Sequence, residues 1–246
     1  MNIKIKLFGI IFLIILIYSC KKENRWDCFK GSGNDIEETR LLAAFENIEV
    51  NDYFNVYIKQ DSVYRVIIDG SENLNGLIET KVENACLKLD NKNKCSWSRK
   101  YKDINIYVHS PKIKMVSLNV ESNLFSIDTI KADSFHVDVR ASIANIDVII
   151  DCNYSALTIH AGTGDYTIKG KANKNYLYCH GTGFIRTENL IADEVEILHI
   201  STGDFFVNCT KKLSGDLMGS GNIYYKGDPE KISVKLLSSG KVLKYE

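Results

Sequence analysis

Gly162-Thr163-Gly164-Asp165-Tyr166, Gly181-Thr182-Gly183-Phe184-Ile185, Ser201-Thr202-Gly203-Asp204-Phe205 and Gly219-Ser220-Gly221-Asn222-Ile223 are four versions of one phrase. A small hydroxylated residue sits between two small residues, mostly glycine, and an aromatic or β-branched residue follows. The middle residues are 19, 20 and 18 positions apart. Weaker copies extend the series. Ser142-Ile143-Ala144-Asn145-Ile146 lies 20 before Thr163, Glu121-Ser122-Asn123-Leu124-Phe125 a further 21 before, and Ser238-Ser239-Gly240-Lys241-Val242 19 after Ser220. A repeat near 20 residues is the mark of a solenoid.

The residues explain how such a repeat folds. The corner glycines Gly162, Gly164, Gly181, Gly183, Gly203, Gly219 and Gly221 are expected to take positive φ and turn the chain tightly. Tyr166/Ile168, Phe205/Val207 and Ile223/Tyr225 alternate after the corner, and Val137/Val139, Leu157/Ile159 and Tyr176/Tyr178 alternate before it. A period of two is a strand with one buried face. Short strands joined by corners every 20 residues make the coils of a parallel β-helix, whose apolar faces are buried only by stacking. The competing architecture is an antiparallel sandwich with glycine-rich hairpins. The expected fold is therefore all-β, a parallel β-helix with coils of about 20 residues, preceded by a β-rich N-terminal region.

Composition agrees with a globular chain: 246 residues, 45% hydrophobic, 25% charged and only 2 prolines. The net charge of zero argues against nucleic acid as a partner. Residues 1–20 read as a targeting segment. Lys4 and Lys6 precede an apolar run from Leu7 to Tyr18, which is short for a membrane span. The run ends Ile17-Tyr18-Ser19-Cys20, which resembles a bacterial lipobox with Cys20 as the lipidated residue, Tyr18 being bulky for its place. The alternatives are an ordinary secretory signal or an uncleaved anchor. Lys21 and Lys22 after the lipidated cysteine are compatible with transfer to the outer membrane. Export brings the remaining cysteines into an oxidising compartment. Cys28 with Cys95 is the leading candidate disulfide, because both lie in polar segments that need an anchor. Cys179, inside a strand, reads as a buried small hydrophobe.

Residues 21–44 read as a tether and lead-in, with a helical-looking stretch from Ile36 to Ala44 and ordered structure from Phe45. A β-rich part follows over 45–110, with strands at Ile48–Val50, Phe54–Lys59, Tyr64–Ile68 and Ile104–Val108, a short helix from Asn73 to Thr80, and a polar loop from Asn91 to Lys102. Solenoid repeats fill 111–246. Phe45-x-x-Ile48-x-Val50, Val56-x-Ile58, Val66-x-Ile68, Asn73-Leu74 and Leu87-x-Leu89, followed by repeated Gly-Ser/Thr-Gly-Asp/Asn, resemble the DUF2807 family, described as putative auto-transporter adhesin, head GIN domain. The segments Asp27 to Gly33 and Gly219 to Pro229 are similar to its lipoprotein members, common in Bacteroidetes. The resemblance covers about residues 26–242. It implies a β-helical fold and an exported, adhesive role, and it brings no catalytic residues. The chain departs from the family pattern at Glu121, Asn123, Ser142 and Ala144, where glycine is replaced.

Motifs for catalysis are missing: no G-x-S-x-G, no H-E-x-x-H and no P-loop. His160, His180 and His199 lie three, two and three residues before their corners. Stacked imidazoles can bind a transition metal, but the shift places His180 on the other face, and a solvated surface is the plainer reading. Asp165, Asp204 and Asn222 recur after the corner, where Asx side chains usually cap backbone; the sequence is not the nonapeptide calcium repeat. Neither a metal nor a cofactor is expected. The Thr163, Thr182, Thr202 and Ser220 column reads as a structural ladder. Tyr224, Tyr225, Trp97, Tyr101 and Tyr107 are candidates to stack on sugar rings.

The function expected is a lipid-anchored cell-envelope binding module of adhesin type, with the membrane and a glycan or protein ligand as partners. The alternative is a structural or accessory lipoprotein of the periplasm. A carbohydrate-active enzyme ranks third, because Asp165 and Asp204 are two coils apart with Phe184 between them. The open end of a solenoid needs a cap, which either the charged segment Lys241 to Glu246 or a partner subunit in an oligomer would supply.

Overall fold

The computed structural model describes residues 31–93, 103–140 and 143–245. Cys20, Cys28 and Cys95 lie outside these residues, as do Trp97, Tyr101 and Glu246. Five long strands form the solenoid: β9 (Ser122–Val139), β10 (Ala144–Ile159), β11 (Asp165–Cys179), β12 (Phe184–His199) and β13 (Phe205–Leu217). Each pairs in parallel with the next. Each also bends midway, so one coil serves two faces. The bend is visible at both ends of the stack. The first half of β13 pairs with β14 (Ile223–Lys226) and its second half with β15 (Lys231–Leu236). The two halves of β9 pair with β3 (Asn55–Gln60) and β8 (Met115–Leu118).

The N-terminal region belongs to the same two faces. On the first, β3 is followed outward by β7 (Asn105–Ser110), β4 (Arg65–Ser71) and β1 (Asp35–Leu41). On the second, β8 is followed by β2 (Asn47–Val50), β6 (Cys86–Asn91) and β5 (Ile78–Glu83). The last pairings on each face are antiparallel. Asn84 and Ala85, at φ 51° and 56°, turn β5 into β6 as a two-residue hairpin. The final short strand, β16 (Val242–Lys244), pairs with β14.

Register makes the core a set of columns. Leu124, Ile146, Tyr166, Ile185, Phe205, Ile223 and Val242 are successive partners, at offsets of 22, 20, 19, 20, 18 and 19 residues. Val137, Leu157, Leu177 and Ile197 form a second column, and Val139, Ile159, Cys179, His199 and Leu217 a third. One apolar cluster runs unbroken from Phe45 to Ile223. Stacking gives each inward side chain a neighbour above and below, and a fully buried aliphatic side chain contributes roughly 1.5–3 kcal/mol.

Several expectations are corrected. Ile36 to Ala44 is not helical: Asp35–Leu41 is edge strand β1, fixed by antiparallel hydrogen bonding to β4 rather than by its own periodicity. The helix is one turn, α1 (Glu72–Asn75), and Ile78 onward is strand. In the coil with Tyr176 and Tyr178 the buried pair is Leu177 and Cys179, so the tyrosines face outward. The first weak repeat is out of phase by one: Asn123, not Leu124, is the partner of Asn145.

The corner glycines also have another cause. Of the seven, Gly162 alone sits well inside positive φ, at 111°; Gly164, at 159°, is nearly extended. What the rest share is close approach to the coil before. A Cβ on Gly203 would lie 2.1 Å from the Gly183 carbonyl oxygen, one on Gly219 1.9 Å from that of Ser201, and one on Gly221 2.2 Å from that of Gly203. Backbone rests on backbone at this corner, and glycine leaves the room for it.

The two ends of the solenoid differ. At the N-terminal end Arg40 of β1 reaches across, donating to the Ile78 carbonyl at 2.5 Å, the Asn75 carbonyl at 2.9 Å and Thr80 Oγ1 at 3.3 Å, with Glu38 paired to it at 2.8 Å. At the C-terminal end Lys241–Tyr245 does not fold over the core. It adds strand β16 to the first face, so that part of the expected cap is a further rung instead.

Candidate binding face

On the outside of the first face, the residues between the buried ones stack in register: Tyr107, Tyr57, Phe125, Asp147, Thr167, Arg186, Phe206 and Tyr224. Parallel pairing with a spacing of about 4.8 Å makes this column follow from the alternation of each strand. The column has three sections. Tyr57 stacks on Tyr107 at 4.9 Å and on Phe125 at 5.1 Å. At the other end Phe206 stacks on Tyr224 at 5.0 Å, and Tyr245 meets both rings edge-on. Between them is a polar saddle, about 19 Å from Phe125 to Phe206 by strand spacing. It holds the Asp147–Lys169 ion pair at 2.8 Å, Thr167, and Arg186, whose guanidinium lies over Phe206 at 5.2 Å and Phe184 at 5.8 Å.

The ring faces in both stacks cover one another. Tyr57 has a ring on either side, and Phe206 lies between Tyr224 and the Arg186 guanidinium, so these two rings have neighbours over both faces. A ligand lying across the saddle meets apolar edges at both ends and charged hydrogen-bonding groups in the middle, the amphipathic mix that recognition surfaces use.

Beside this column runs a ladder invisible to single-residue reading. Asn105 donates to Asp69 at 3.0 Å, Asn55 to Asn105 at 3.1 Å, Asn123 to Asn55 at 2.8 Å and Asn145 to Asn123 at 3.0 Å. Phe184 interrupts it. Asp204 then accepts the Asn222 backbone amide at 2.7 Å, and Asn222 that of Lys241 at 3.0 Å. Asp204 and Asn222 therefore serve backbone groups of the next coil, while Asp165 faces Arg186 at 3.5 Å. The sequence signal for the ladder is the Asn55, Asn105, Asn123 and Asn145 set, flanked by inward apolar residues except for Ser122 before Asn123. At the bend a second ladder, Asp133–Asn153–Asn173, borders a shallow open groove of about 340 Å³ that includes Lys171 and Asp193.

The histidines separate. His160 and His180 share a column, the His180 ring nitrogen lying 3.3 Å from the His160 carbonyl oxygen, and His199 is the one out of phase. The surface reading fails for it outright: His199 is fully buried, stacked on Phe205 at 4.1 Å, with Nδ1 accepting the Ser201 amide at 3.2 Å and Nε2 unpartnered. Burial pushes its pKa down to about 4. His160 instead joins a constellation on the second face. Asp138 accepts from Thr158 at 2.7 Å, His160 at 2.8 Å and Arg140 at 2.9 Å, and His136 Nε2 lies 2.8 Å from Thr158 Oγ1. Burial opposes the Asp138 carboxylate, yet these hydrogen bonds outweigh it and hold the pKa below its usual value. Thr158 gives its proton straight to the carboxylate, which leaves His136 as a donor to its oxygen. The order is therefore not that of a nucleophile activated by imidazole.

Asp165 and Asp204 stand in one column with Phe184 between them. Among the described residues no cluster of three or more His, Cys, Asp or Glu is placed to hold a metal ion. Cys152, Cys179 and Cys209 are buried free thiols, and Cys86 is a half-buried one.

The family model described as putative auto-transporter adhesin, head GIN domain, matches residues 44–229. The chain belongs to the DUF2807 family. The DUF2807 assignment spans both the N-terminal strands and the solenoid. No curated protein matches the chain. Among solved structures, a putative adhesin from Bacteroides fragilis is 24% identical with a TM-score of 0.79, covering 86% of this chain and 97% of that one. A putative lipid binding protein from Parabacteroides distasonis is 20% identical with a TM-score of 0.65, covering 88% and 98%. A putative adhesin from Parabacteroides merdae is 18% identical with a TM-score of 0.63, also covering 88% and 98%. At these identities the likeness is one of fold. Among the described residues of this DUF2807 chain no helix is long and apolar enough to cross a membrane.

Proposed function

We propose that the chain is a lipid-anchored adhesin-like module of the cell envelope, which holds an extended, hydroxyl-rich ligand against the outer side of its first face. The observation that carries this reading is the registered column with aromatic stacks at both ends and Asp147, Lys169, Thr167 and Arg186 between them. Such a surface binds without chemistry. Family membership supports an adhesive role, and the Ile17-Tyr18-Ser19-Cys20 signature supports an anchor at Cys20. A bridge between Cys28 and Cys95 belongs to the same proposal, as does placement in the outer membrane.

The test is binding of the chain from Lys21 onward to arrays of glycans and matrix proteins. Arg186→Ala is expected to weaken the best glycan ligand about tenfold, equivalent to about 1.4 kcal/mol. Lys174→Ala on the second face, where Lys174 pairs with Glu196 at 2.7 Å, is expected to leave it unchanged. Equal loss in both variants, or ligands confined to proteins, would overturn the glycan reading. Separately, Cys20→Ala is expected to move the protein from the membrane fraction to the soluble one; retention in the membrane refutes the anchor. Protease treatment of intact cells distinguishes an outward-facing adhesin, which is cleaved, from a periplasmic accessory protein, which is protected until lysis.

A further inference from the structure

The asymmetry between the two ends of the solenoid has a functional meaning. Solenoids stay soluble by closing their ends with polar groups, because an open end presents both a bare apolar core and unpaired strand edges. At the N-terminal end Arg40 and its carbonyl acceptors reach across between the two faces, though among the described residues β1 and β5 keep open outer edges. The C-terminal end leaves apolar side chains open. Ile232, Val234 and Leu236 continue the inward columns of Leu213, Gly215 and Leu217; Val234 is half-buried, while Ile232 and Leu236 are exposed. Leu236 is 56% exposed and Leu237 60%. Among the described residues β15 pairs only with β13 and β16 only with β14, so each has an edge with no described strand beside it. Gly31 and Asn93, which border segments outside the described residues, are both tied to α1 at the opposite end.

Charge selects the occupant. The C-terminal end carries exposed Lys231 and Lys235 on β15, exposed Lys241 just before β16, and Lys244 on β16, which pairs with Asp228. The free edge of β1 at the N-terminal end carries exposed Asp35 and Glu37; on β5 the exposed Glu79 pairs with Lys92, and the half-buried Glu83 with Lys81 and Lys88. Two C-terminal ends brought together would set lysine against lysine; C-terminal against N-terminal end sets lysine against carboxylate. Apolar groups match too: β1 exposes Leu41, at 81%, and Ile36. Strand direction is also compatible. β1 is antiparallel to β4 and β4 to β7, which returns β1 to the direction of the solenoid strands and of β16. Both ends present one edge on each face, so a copy translated along the axis sets β16 beside β1 in parallel and β15 beside β5, which runs against the solenoid strands, in antiparallel.

We infer that the C-terminal end docks on the N-terminal end of a second copy, so that the chain assembles head to tail. This interface is heterologous, and when the step is a translation along the axis it does not close. The product is a linear stack in which both faces continue from one copy into the next.

Sedimentation velocity of the chain from Lys21 onward tests this at concentrations up to about 100 µM, a range that detects weak interfaces. The expected result is a concentration-dependent ladder passing beyond dimer. Lys235→Glu with Lys241→Glu, and Glu37→Lys with Glu79→Lys, are each expected to weaken association at least about tenfold. Mixing the two folded variants is expected to restore it, because each then meets an end of opposite charge. Unfolding midpoints like that of the parent establish that both variants fold. A parent that stays monomeric overturns the inference. So does a dimer indifferent to the Glu37 and Glu79 changes, which would mean C-terminal ends paired with each other, or a mixture that fails to associate.

Discussion

Gly219→Ala is expected to destabilise the protein by roughly 2–4 kcal/mol, although alanine is no bulkier than the residues around it. Gly219 does not have positive φ. At an ordinary φ, glycine-to-alanine substitution normally stabilises by about 0.4–1 kcal/mol, by restricting the unfolded chain. Here the added Cβ would lie 1.9 Å from the Ser201 carbonyl oxygen and 2.6 Å from its amide nitrogen, both fixed backbone atoms. Relief requires lifting one coil from the next, which loosens the Met218 and Gly219 amides from the His199 carbonyl. Gly76→Ala is the control. Its φ is −61° and no atom lies within 4 Å of the place a Cβ would take, so little change or slight stabilisation is expected. Urea midpoints of the two variants decide the matter: if they coincide, close approach is not why glycine occupies the corner.

His199 sets the second large effect, in the pH dependence of stability. Its folded pKa, about 4, lies below the ordinary value of 6.5. Between those values the unfolded chain binds a proton that the folded one refuses. Stability is therefore complete above about pH 6.5 and falls as the pH drops toward 4, by about 3 kcal/mol over the window for this group. His136, also depressed by burial, adds a fall of the same sign. His199→Leu places an aliphatic side chain in the column between Cys179 and Leu217 and removes the titration. It also leaves the Ser201 amide without its acceptor, so stability at pH 7 shifts as well. The diagnostic reading is the slope between pH 6.5 and 4, which should flatten to what His136 and, near pH 4, the carboxylates held below their usual pKa still contribute. A slope equal to that of the parent would mean that His199 titrates normally in the fold.

Much of this architecture is legible in the sequence because stacking forces each coil to repeat its neighbour. Tyr166, Phe205 and Ile223 announce the buried column, and the 18–20 residue spacing of their corners announces the coil. What is not legible depends on where one coil lies on another. The phase of His199 against His180 turns on single-residue differences between coils, and one residue exchanges inside for outside in a strand. The same slip displaces Leu124 and the outward Tyr176 and Tyr178. β1 reads as helix because Ile36, Thr39 and Arg40 carry no strand alternation; pairing with β4 decides its conformation. The binding face is partly visible in Tyr107 and Tyr224. Its saddle is not, since Asp147, Lys169 and Arg186 come from three coils and meet only through register.

The stacked coils also give this molecule an unusual relation between length and reach. Among the described residues each of β10, β11 and β12 pairs only with the strands directly before and after it. A coil of about 20 residues could be gained or lost there by duplication or deletion, with one coil-to-coil contact rejoined and the rest of the protein untouched. Each such event would move the far end by about 4.8 Å and widen or narrow the saddle between its aromatic stacks by the same step. Under the function proposed above, ligand span and standoff from the cell would be inherited as a number of coils, which is a quantity that recombination can count.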